Sequence, residues 1–150
     1  MKLKQHIIAA VVMMAAMLPS AATAQNVVEP KLYMFGFAAS FNDTIVHFTD
    51  IQALDSVWVS KKSHFLQGRE VYSNMLRNYL AEQKQPYRTC VIFYDRKLNK
   101  LQKKYLKMKK LYEGDKKSKV KNKNDIRIIP VSDFKFTTIN FGAPVEEGSE

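Results

Sequence analysis

The feature that most constrains the fold is a short apolar segment that lies between two amphipathic segments. Residues 89–94 read TCVIFY, a near-continuous apolar run that is typical of a central strand covered on both faces. On either side, between residues 71 and 80 and between residues 98 and 112, apolar side chains recur at spacings of three and four. That periodicity predicts a helix with one apolar face on each side of the strand.

The other segments carry the alternation that is typical of strands. Residues 31–39 alternate aromatic and smaller side chains, and residues 44–49 follow a turn-forming Ser-Phe-Asn-Asp sequence, which predicts an antiparallel hairpin. Residues 50–60 are ambiguous, because Asp55 and Ser56 interrupt their apolar pattern. Residues 125–131 and 133–138 indicate one or two further short strands.

These elements predict an α+β fold, a two-layer α/β sandwich in which two helices pack on a mixed sheet of four or five strands in the order ββαβαβ. We expect right-handed strand–helix–strand crossovers. Gly68 weakens the first helical turn, so regular helix is expected from about Arg69, with an end before Pro86. Asp95 is expected to cap the second helix, which runs to about Tyr112.

The N-terminus has the three parts of a cleavable secretory signal peptide. Two lysines form a basic region, residues 7–18 form an apolar run, and residues 22–24 supply an Ala-Thr-Ala cleavage site. We therefore expect cleavage between Ala24 and Gln25. A retained membrane anchor is disfavoured, because the apolar run is shorter than the roughly 20 residues that span a bilayer. A lipid anchor is also disfavoured, because no cysteine stands at the new N-terminus.

Signal removal leaves residues 25–150, which is the usual size of one domain. We expect a single globular domain over residues 25–141, followed by a disordered acidic tail over residues 142–150, with no membrane span after the signal. Cys90 is the only cysteine. The exported chain therefore cannot form an intramolecular disulfide, and zinc sites built on cysteine pairs are excluded.

The formal net charge of +10 is concentrated in one part of the chain. Lys2 and Lys4 leave with the signal, which gives the exported chain a charge of +8. Between Arg96 and Lys123, thirteen lysine and arginine residues stand against two acidic residues, a surplus of +11. The rest of the exported chain therefore sums to −3, and one helix with its following loop carries the basicity.

This basic segment is the strongest candidate for a binding surface. Clustered lysines attract polyanions through counterion release or anionic lipid head groups through the surface potential. Lysine is a point charge rather than a bidentate fork, which favours non-specific attraction. The alternative is a solvated face that keeps the chain soluble. The candidate residues are Lys97, Lys100, Lys103, Lys104, Lys107, Lys110, Lys116, Lys117, Lys119, Lys121 and Lys123.

Residues with catalytic chemistry are few. Cys90 and His47 are the one nucleophile-and-base pair, but the position of Cys90 within a strand favours a buried and unreactive thiol. Asp50, Asp55 and Asp95 lie at or just past the ends of apolar segments, where carboxylates could serve acid–base or metal chemistry, although capping and turn roles explain them as well. No catalytic motif or phosphate-binding glycine loop is present. We assign no catalytic, cofactor or metal-binding residue.

Three positions match short glycosylation patterns. Asn42 begins an Asn-Asp-Thr acceptor. Thr44 and Ser56 each follow an aspartate and precede an apolar residue, as in the O-glycosylation acceptor of Bacteroidetes. All three are predicted to lie in exposed turns.

Four segments together resemble short exported proteins of Bacteroidetes: residues 33–37 (YMFGF), 68–72 (GREVY), 88–93 (RTCVIF) and 103–105 (KKY). The resemblance extends over most of the exported chain. It implies a diderm cell, and therefore the periplasm or the cell exterior. It implies no activity, cofactor or catalytic residue.

Three hypotheses follow. The first is an exported binding module whose partner is an anionic polymer, the envelope surface or another exported protein, contacted through the lysine-rich helix and loop. The second is a small periplasmic hydrolase that uses aspartates at the sheet edge, which requires at least two of Asp50, Asp55, Asp95 and His47 in one pocket. The third is a structural envelope protein that packs through its aromatic hairpin.

Overall fold

The computed structural model of the chain describes residues 25–114 and 124–142. The predicted signal segment with Ala24, the loop lysines from Lys116 to Lys123, and residues 143–150 of the predicted tail lie outside the described residues. The elements are β1 (Asn26–Ala39), β2 (Ile45–Thr49), β3 (Gln52–Ser60), α1 (Arg69–Glu82), β4 (Thr89–Asp95), α2 (Leu98–Glu113) and β5 (Asp125–Ile129).

The long strand β1 organises the sheet. It pairs antiparallel with β2, β3 and β4, and β5 joins β2 in parallel. The β1–β2 hairpin turns through residues 40–44, of which residues 41–44 are exposed. The predicted fold class, an α+β fold with two helices on a mixed five-stranded sheet, is confirmed, with β3 as an additional strand in the order βββαβαβ.

A bulge separates β2 from β3 along one edge of β1. Phe37 pairs with Phe48, whereas Met34 pairs with Gln52, so two residues of β1 lie opposite three residues of the returning chain. At the bulge, the amide of Gly36 donates a 2.8 Å hydrogen bond to the Thr49 hydroxyl. The extra residue shifts the register by one between β2 and β3.

The two helices lie on opposite faces of the sheet. Leu32, Met34 and Ala38 of β1 belong to one buried cluster, which includes the α1 side chains Tyr72, Leu76 and Leu80. Phe35 and Phe37, which alternate with them, belong to a second cluster, which includes the α2 side chains Leu101, Tyr105, Met108 and Tyr112. The molecule therefore has three layers rather than the two that we predicted.

The path of the chain explains the third layer. The β3–α1–β4 connection crosses β1 in one direction, and the β4–α2–β5 connection returns across β1 and β2 in the other direction. Strand–helix–strand crossovers share one hand in nearly all proteins. Two crossovers of the same hand that run in opposite directions must place their helices on opposite faces.

The apolar strand β4 lies at an edge of the sheet, and our prediction of a central strand is wrong. Among the described residues, β4 pairs only with β1. Ile92 is fully buried in the cluster under α1, and Phe93 stacks on Phe35 beneath α2 at a centroid distance of 5.2 Å. Burial by a helix on each face therefore produces the same apolar run as a central position in the sheet would.

Two local predictions are also corrected. Helix α2 begins at Leu98, and Asp95 is not its cap; the Asp95 carboxylate instead accepts a 2.8 Å hydrogen bond from the amide of Lys97 in the preceding turn. Residues 133–138 do not form a strand. There the side chain of Gln52 binds the backbone of Phe134 and Phe136 at 3.0 and 2.9 Å, which fixes both rings in the core.

Neither helix of the described residues is long and apolar enough to cross a membrane.

Candidate functional site

Helix α2 packs on the sheet through its apolar face. Its apolar residues recur at spacings of four, three and four, so they share one face. Tyr105 packs edge-on against Phe35 at 5.0 Å between ring centroids, and Tyr112 packs against Phe37 at 4.8 Å. Aromatic pairs of this kind add to the free energy gained by burial. The opposite face of α2 is therefore presented to solvent in a fixed orientation.

The solvent side of α2 carries a stripe of lysines. Lys100, Lys103, Lys107 and Lys110 are spaced by three, four and three residues, which places them on one face of a helix, and all four are exposed. We call these four residues the lysine stripe. Lys97 and Lys104 are exposed nearby. The sequence prediction that these lysines share one helical surface agrees with this arrangement.

No described carboxylate neutralises the lysine stripe. Within 4.0 Å, the one described ion pair of an α2 lysine joins Lys109, outside the stripe, to Glu113 at 3.9 Å. Lys104 has a different partner, since its ammonium group lies 4.7 Å from the centre of the Phe93 ring. A row of like charges on adjacent turns is unfavourable in the isolated helix, and an anionic ligand would relieve that repulsion.

The four residues proposed for a hydrolase do not converge. Asp50 lines a groove of about 730 Å³ between the bulge and α2, and Asp95 lines a separate pocket of about 210 Å³ beside β4. Asp55 lies opposite Lys31 in the sheet, and His47 is buried in β2. Neither of these two pockets is lined by a second member of the set, and no three metal-ligating side chains of the described part of the chain cluster.

Cys90 is buried on the α1 side of β4. Burial raises the pKa of its thiol, and the positive charges of Arg77 and Arg88 offset only part of that increase. The thiolate, not the thiol, is the nucleophile. The prediction of an unreactive structural cysteine agrees with this environment.

His47 is buried near a second buried polar residue, Arg88. Arg88 is 4% exposed and pairs with Asp43 at 2.7 Å while it donates to the carbonyl of Ile45 at 2.8 Å. The Nδ1 atom of His47 has no hydrogen-bond partner among the described residues. Burial, together with the charges of Arg88 and Arg127, lowers the pKa of His47 to about 4. The ring is therefore neutral at pH 7.

The three candidate glycosylation positions are exposed. Asn42 and Thr44 lie in the bend between β1 and β2. Ser56 lies within β3 rather than in a turn, with a left-handed φ of 56°, opposite a gap in the ladder where Pro30 supplies no amide. The strand is locally distorted there, which leaves the Ser56 side chain accessible.

The aromatic hairpin leaves little apolar surface for packing. Phe35 is fully buried, Tyr33 is half-buried, and Phe41 is exposed at the turn. A protein that packs through this hairpin should expose an apolar patch of several hundred Å² around Tyr33, Phe35 or Phe41. One exposed ring in a turn does not amount to such a patch.

One positively charged feature was not predicted from the sequence. Arg69 and Arg77 of α1 line a pocket of about 480 Å³ together with Cys90 and Val91 of β4. The guanidinium of Arg69 donates a 3.2 Å hydrogen bond to the carbonyl of Ile92. No local spacing in the sequence indicates that these arginines lie next to β4, because that proximity depends on how α1 packs on the sheet.

Comparison of the chain with protein-family models, with curated proteins and with solved structures gives no match.

Proposed function

We propose that this protein is an exported binding module that attaches to an anionic polymer or to an anionic envelope surface through helix α2. The observation that supports the proposal is the lysine stripe, Lys100, Lys103, Lys107 and Lys110, which is exposed and has no described carboxylate within ion-pair distance. The loop lysines next to α2 in the sequence extend the same charge. If the lysines served only to keep the chain soluble, they would not need to lie in one row on the helix.

The physical basis is the release of counterions. A polyanion that contacts several lysines loses condensed cations, so its affinity falls steeply as salt rises. An anionic bilayer supplies a comparable attraction of about 1 kcal/mol for each lysine near its surface. Lysine does not impose the planar two-bond geometry that arginine does, so the module should select charge density rather than a particular sequence or sugar.

The first test removes the lysine stripe. The variant K100Q/K103Q/K107Q/K110Q, in the chain from Gln25 onward, should bind heparin at least tenfold more weakly at low salt. The slope of log affinity against log salt should decrease by roughly 3, because each lost contact contributes about 0.7 to 0.9 in nucleic acids. The measurement is isothermal calorimetry or heparin elution at several salt concentrations. The stripe residues are exposed, so circular dichroism should be unchanged.

A matched control removes the same charge elsewhere. Lys61, Lys62, Lys84 and Lys135 are exposed and lie outside α2, so K61Q/K62Q/K84Q/K135Q should retain most of the affinity. Equal losses in both variants would show that net charge, not this surface, drives binding, and the proposal would fail. Vesicles with and without anionic lipid, run beside heparin, distinguish a membrane surface from a soluble polymer.

Export is the second part of the proposal, and the N-terminal pattern supports it. If the signal is cleaved as the Ala-Thr-Ala site predicts, N-terminal sequencing of the protein isolated from a diderm host should begin at Gln25. Its intact mass should also show whether Asn42, Thr44 or Ser56 carries a glycan. An intact Met1 on mature protein in the cell envelope would contradict cleavage.

A further inference from the structure

The outer edge of β4 has backbone groups that pair with no other strand among the described residues. In an antiparallel pair, residues alternate between those whose amide and carbonyl face the partner strand and those whose groups face away. Ile92 lies opposite Gly36, and the amide of Gly36 points to the other neighbour of β1, since it donates to Thr49. Ile92 must therefore point outward.

The hydrogen bond from Arg69 gives the same direction independently. Its guanidinium reaches the Ile92 carbonyl from α1, across the pocket at the outer side of β4. By the alternation, Cys90 and Tyr94 also direct their backbone groups outward, whereas Val91 and Phe93 face β1. Every second residue of β4 therefore directs its backbone amide and carbonyl away from the sheet.

Positive charge flanks this edge on both faces of the sheet. On the α1 face, two cations, Arg69 and Arg77, and one carboxylate, Glu70, line the pocket beside Cys90 and Val91, which leaves this face with a net positive charge. On the α2 face, the ammonium group of Lys104 stands over the ring of Phe93. An extended peptide that paired with β4 would direct its alternate side chains to these two faces. Acidic side chains on either face would meet a cation.

We infer that the outer edge of β4 binds an extended acidic segment of a partner polypeptide by strand addition. The main chain of the segment pairs with Cys90, Ile92 and Tyr94, as in other cases where a peptide extends an exposed sheet edge. Its carboxylates contact Arg69, Arg77 and Lys104, and a peptide amide replaces Arg69 at the Ile92 carbonyl. This site is separate from the lysine stripe and does not rest on the proposed function.

The competing explanation is that these cations protect the edge from pairing. Charged side chains at sheet edges commonly prevent aggregation between copies of a protein. Protection of that kind would leave the outward amides open to solvent whatever peptide is present. The two explanations therefore differ in a quantity that can be measured at individual amides.

The test is hydrogen exchange by NMR on the chain from Gln25 to Glu150, with and without a seven-residue peptide that alternates glutamate and valine. Without peptide, the amides of Val91 and Phe93 should be protected, and those of Cys90, Ile92 and Tyr94 should exchange faster. Saturating peptide should slow exchange at these three outward amides at least tenfold. The same peptide with lysine in place of glutamate should have no such effect.

Variants separate the two surfaces. R69Q/R77Q should weaken peptide binding at least tenfold, because hydrogen bonds to charged groups are among the stronger ones. The lysine-stripe variant, which retains Lys104, should change peptide affinity less than threefold even if it loses heparin binding. Three outcomes would overturn the inference. The first is that millimolar peptide does not slow exchange at the outward amides, and the second is that the lysine peptide slows it equally. The third is slow exchange without peptide that becomes fast when residues 143–150 are deleted, which would show that the chain's own tail pairs with the edge.

Discussion

Replacement of Gly36 by valine is expected to lower the free energy of unfolding by about 3 kcal/mol, at the upper end of the usual cost of overpacking. Helix α1 crosses β1 directly at this glycine. A Cβ atom there would lie 2.5 Å from Cδ2 of Leu76, 3.2 Å from Cγ2 of Thr49 and 3.3 Å from Cζ of Phe136. Leu76 is fully buried, so its side chain has little free space into which it can move. Urea denaturation followed by circular dichroism measures the effect.

A double-mutant cycle tests whether the contact with α1 is the cause. L76A alone should cost about 2 to 5 kcal/mol through the cavity that it leaves. If the valine at position 36 occupies that cavity, G36V/L76A should be less destabilised than the sum of the two single variants by at least about 1 kcal/mol. Strict additivity would show that the cost of G36V arises elsewhere, for example from the hydrogen bond between Gly36 and Thr49.

The sequence predicted those parts of the fold that depend on neighbouring residues. The start of α1 at Arg69, the β1–β2 hairpin and the apolar stripe of α2 all follow from local spacing. The ambiguity over residues 50–60 has a physical cause, because a bulge precedes β3 and the left-handed Ser56 disturbs the alternation within it. Local pattern identifies a strand poorly where the strand itself is irregular.

The number of layers and the position of β4 depend on non-local pairing. An apolar run reports that both faces of a strand are buried, and it does not report how many strands are its neighbours. Ile92 and Phe93 would have the same apolar character at the centre of the sheet as they have at its edge. The direction of each crossover determines on which face of the sheet its helix lies, and residue spacing does not indicate that direction.

The same distinction applies to the candidate sites. The lysine stripe could be predicted because helical spacing alone brings its members together. The sequence could not predict that the four hydrolase candidates lie apart, because each is on a different segment and the distances between them depend on the sheet. These residues are Asp50, Asp55, Asp95 and His47. The pairing of the α1 arginines with the edge of β4 is non-local for the same reason.

The second large effect expected is a loss of stability as pH falls from about 6.5 towards 4, caused by His47. The pKa of this residue is about 4 in the folded protein and about 6.5 in an unfolded chain. Between these values the unfolded state binds more protons, so stability decreases as pH decreases. Each unit of pKa difference corresponds to about 1.4 kcal/mol. The decrease in the free energy of unfolding caused by His47 therefore approaches about 3 kcal/mol at pH 4.

The surroundings of His47 determine the sign of this effect. Burial disfavours the charged ring most, Arg88 and Arg127 add repulsion, and Asp43 and Asp125 oppose the shift without cancelling it. Asp43 acts in a lower pH range: burial works to raise the pKa of its carboxyl, but the Ile45 amide and Arg88 together lower it below 3.8. The stability that Asp43 contributes is present above pH 4 and is lost as pH falls further.

The measurement is the free energy of unfolding from urea titrations between pH 7.5 and 4. H47Q keeps a neutral polar side chain and should lose less stability than the natural protein over this range, with the difference growing as pH falls. H64Q changes the exposed histidine and retains His47, so it should keep the steep loss. NMR of the His47 ring should show its protonation near pH 4. Parallel profiles for H47Q and the natural protein would mean that the acid sensitivity originates elsewhere, because a buried neutral imidazole must bind its proton on unfolding.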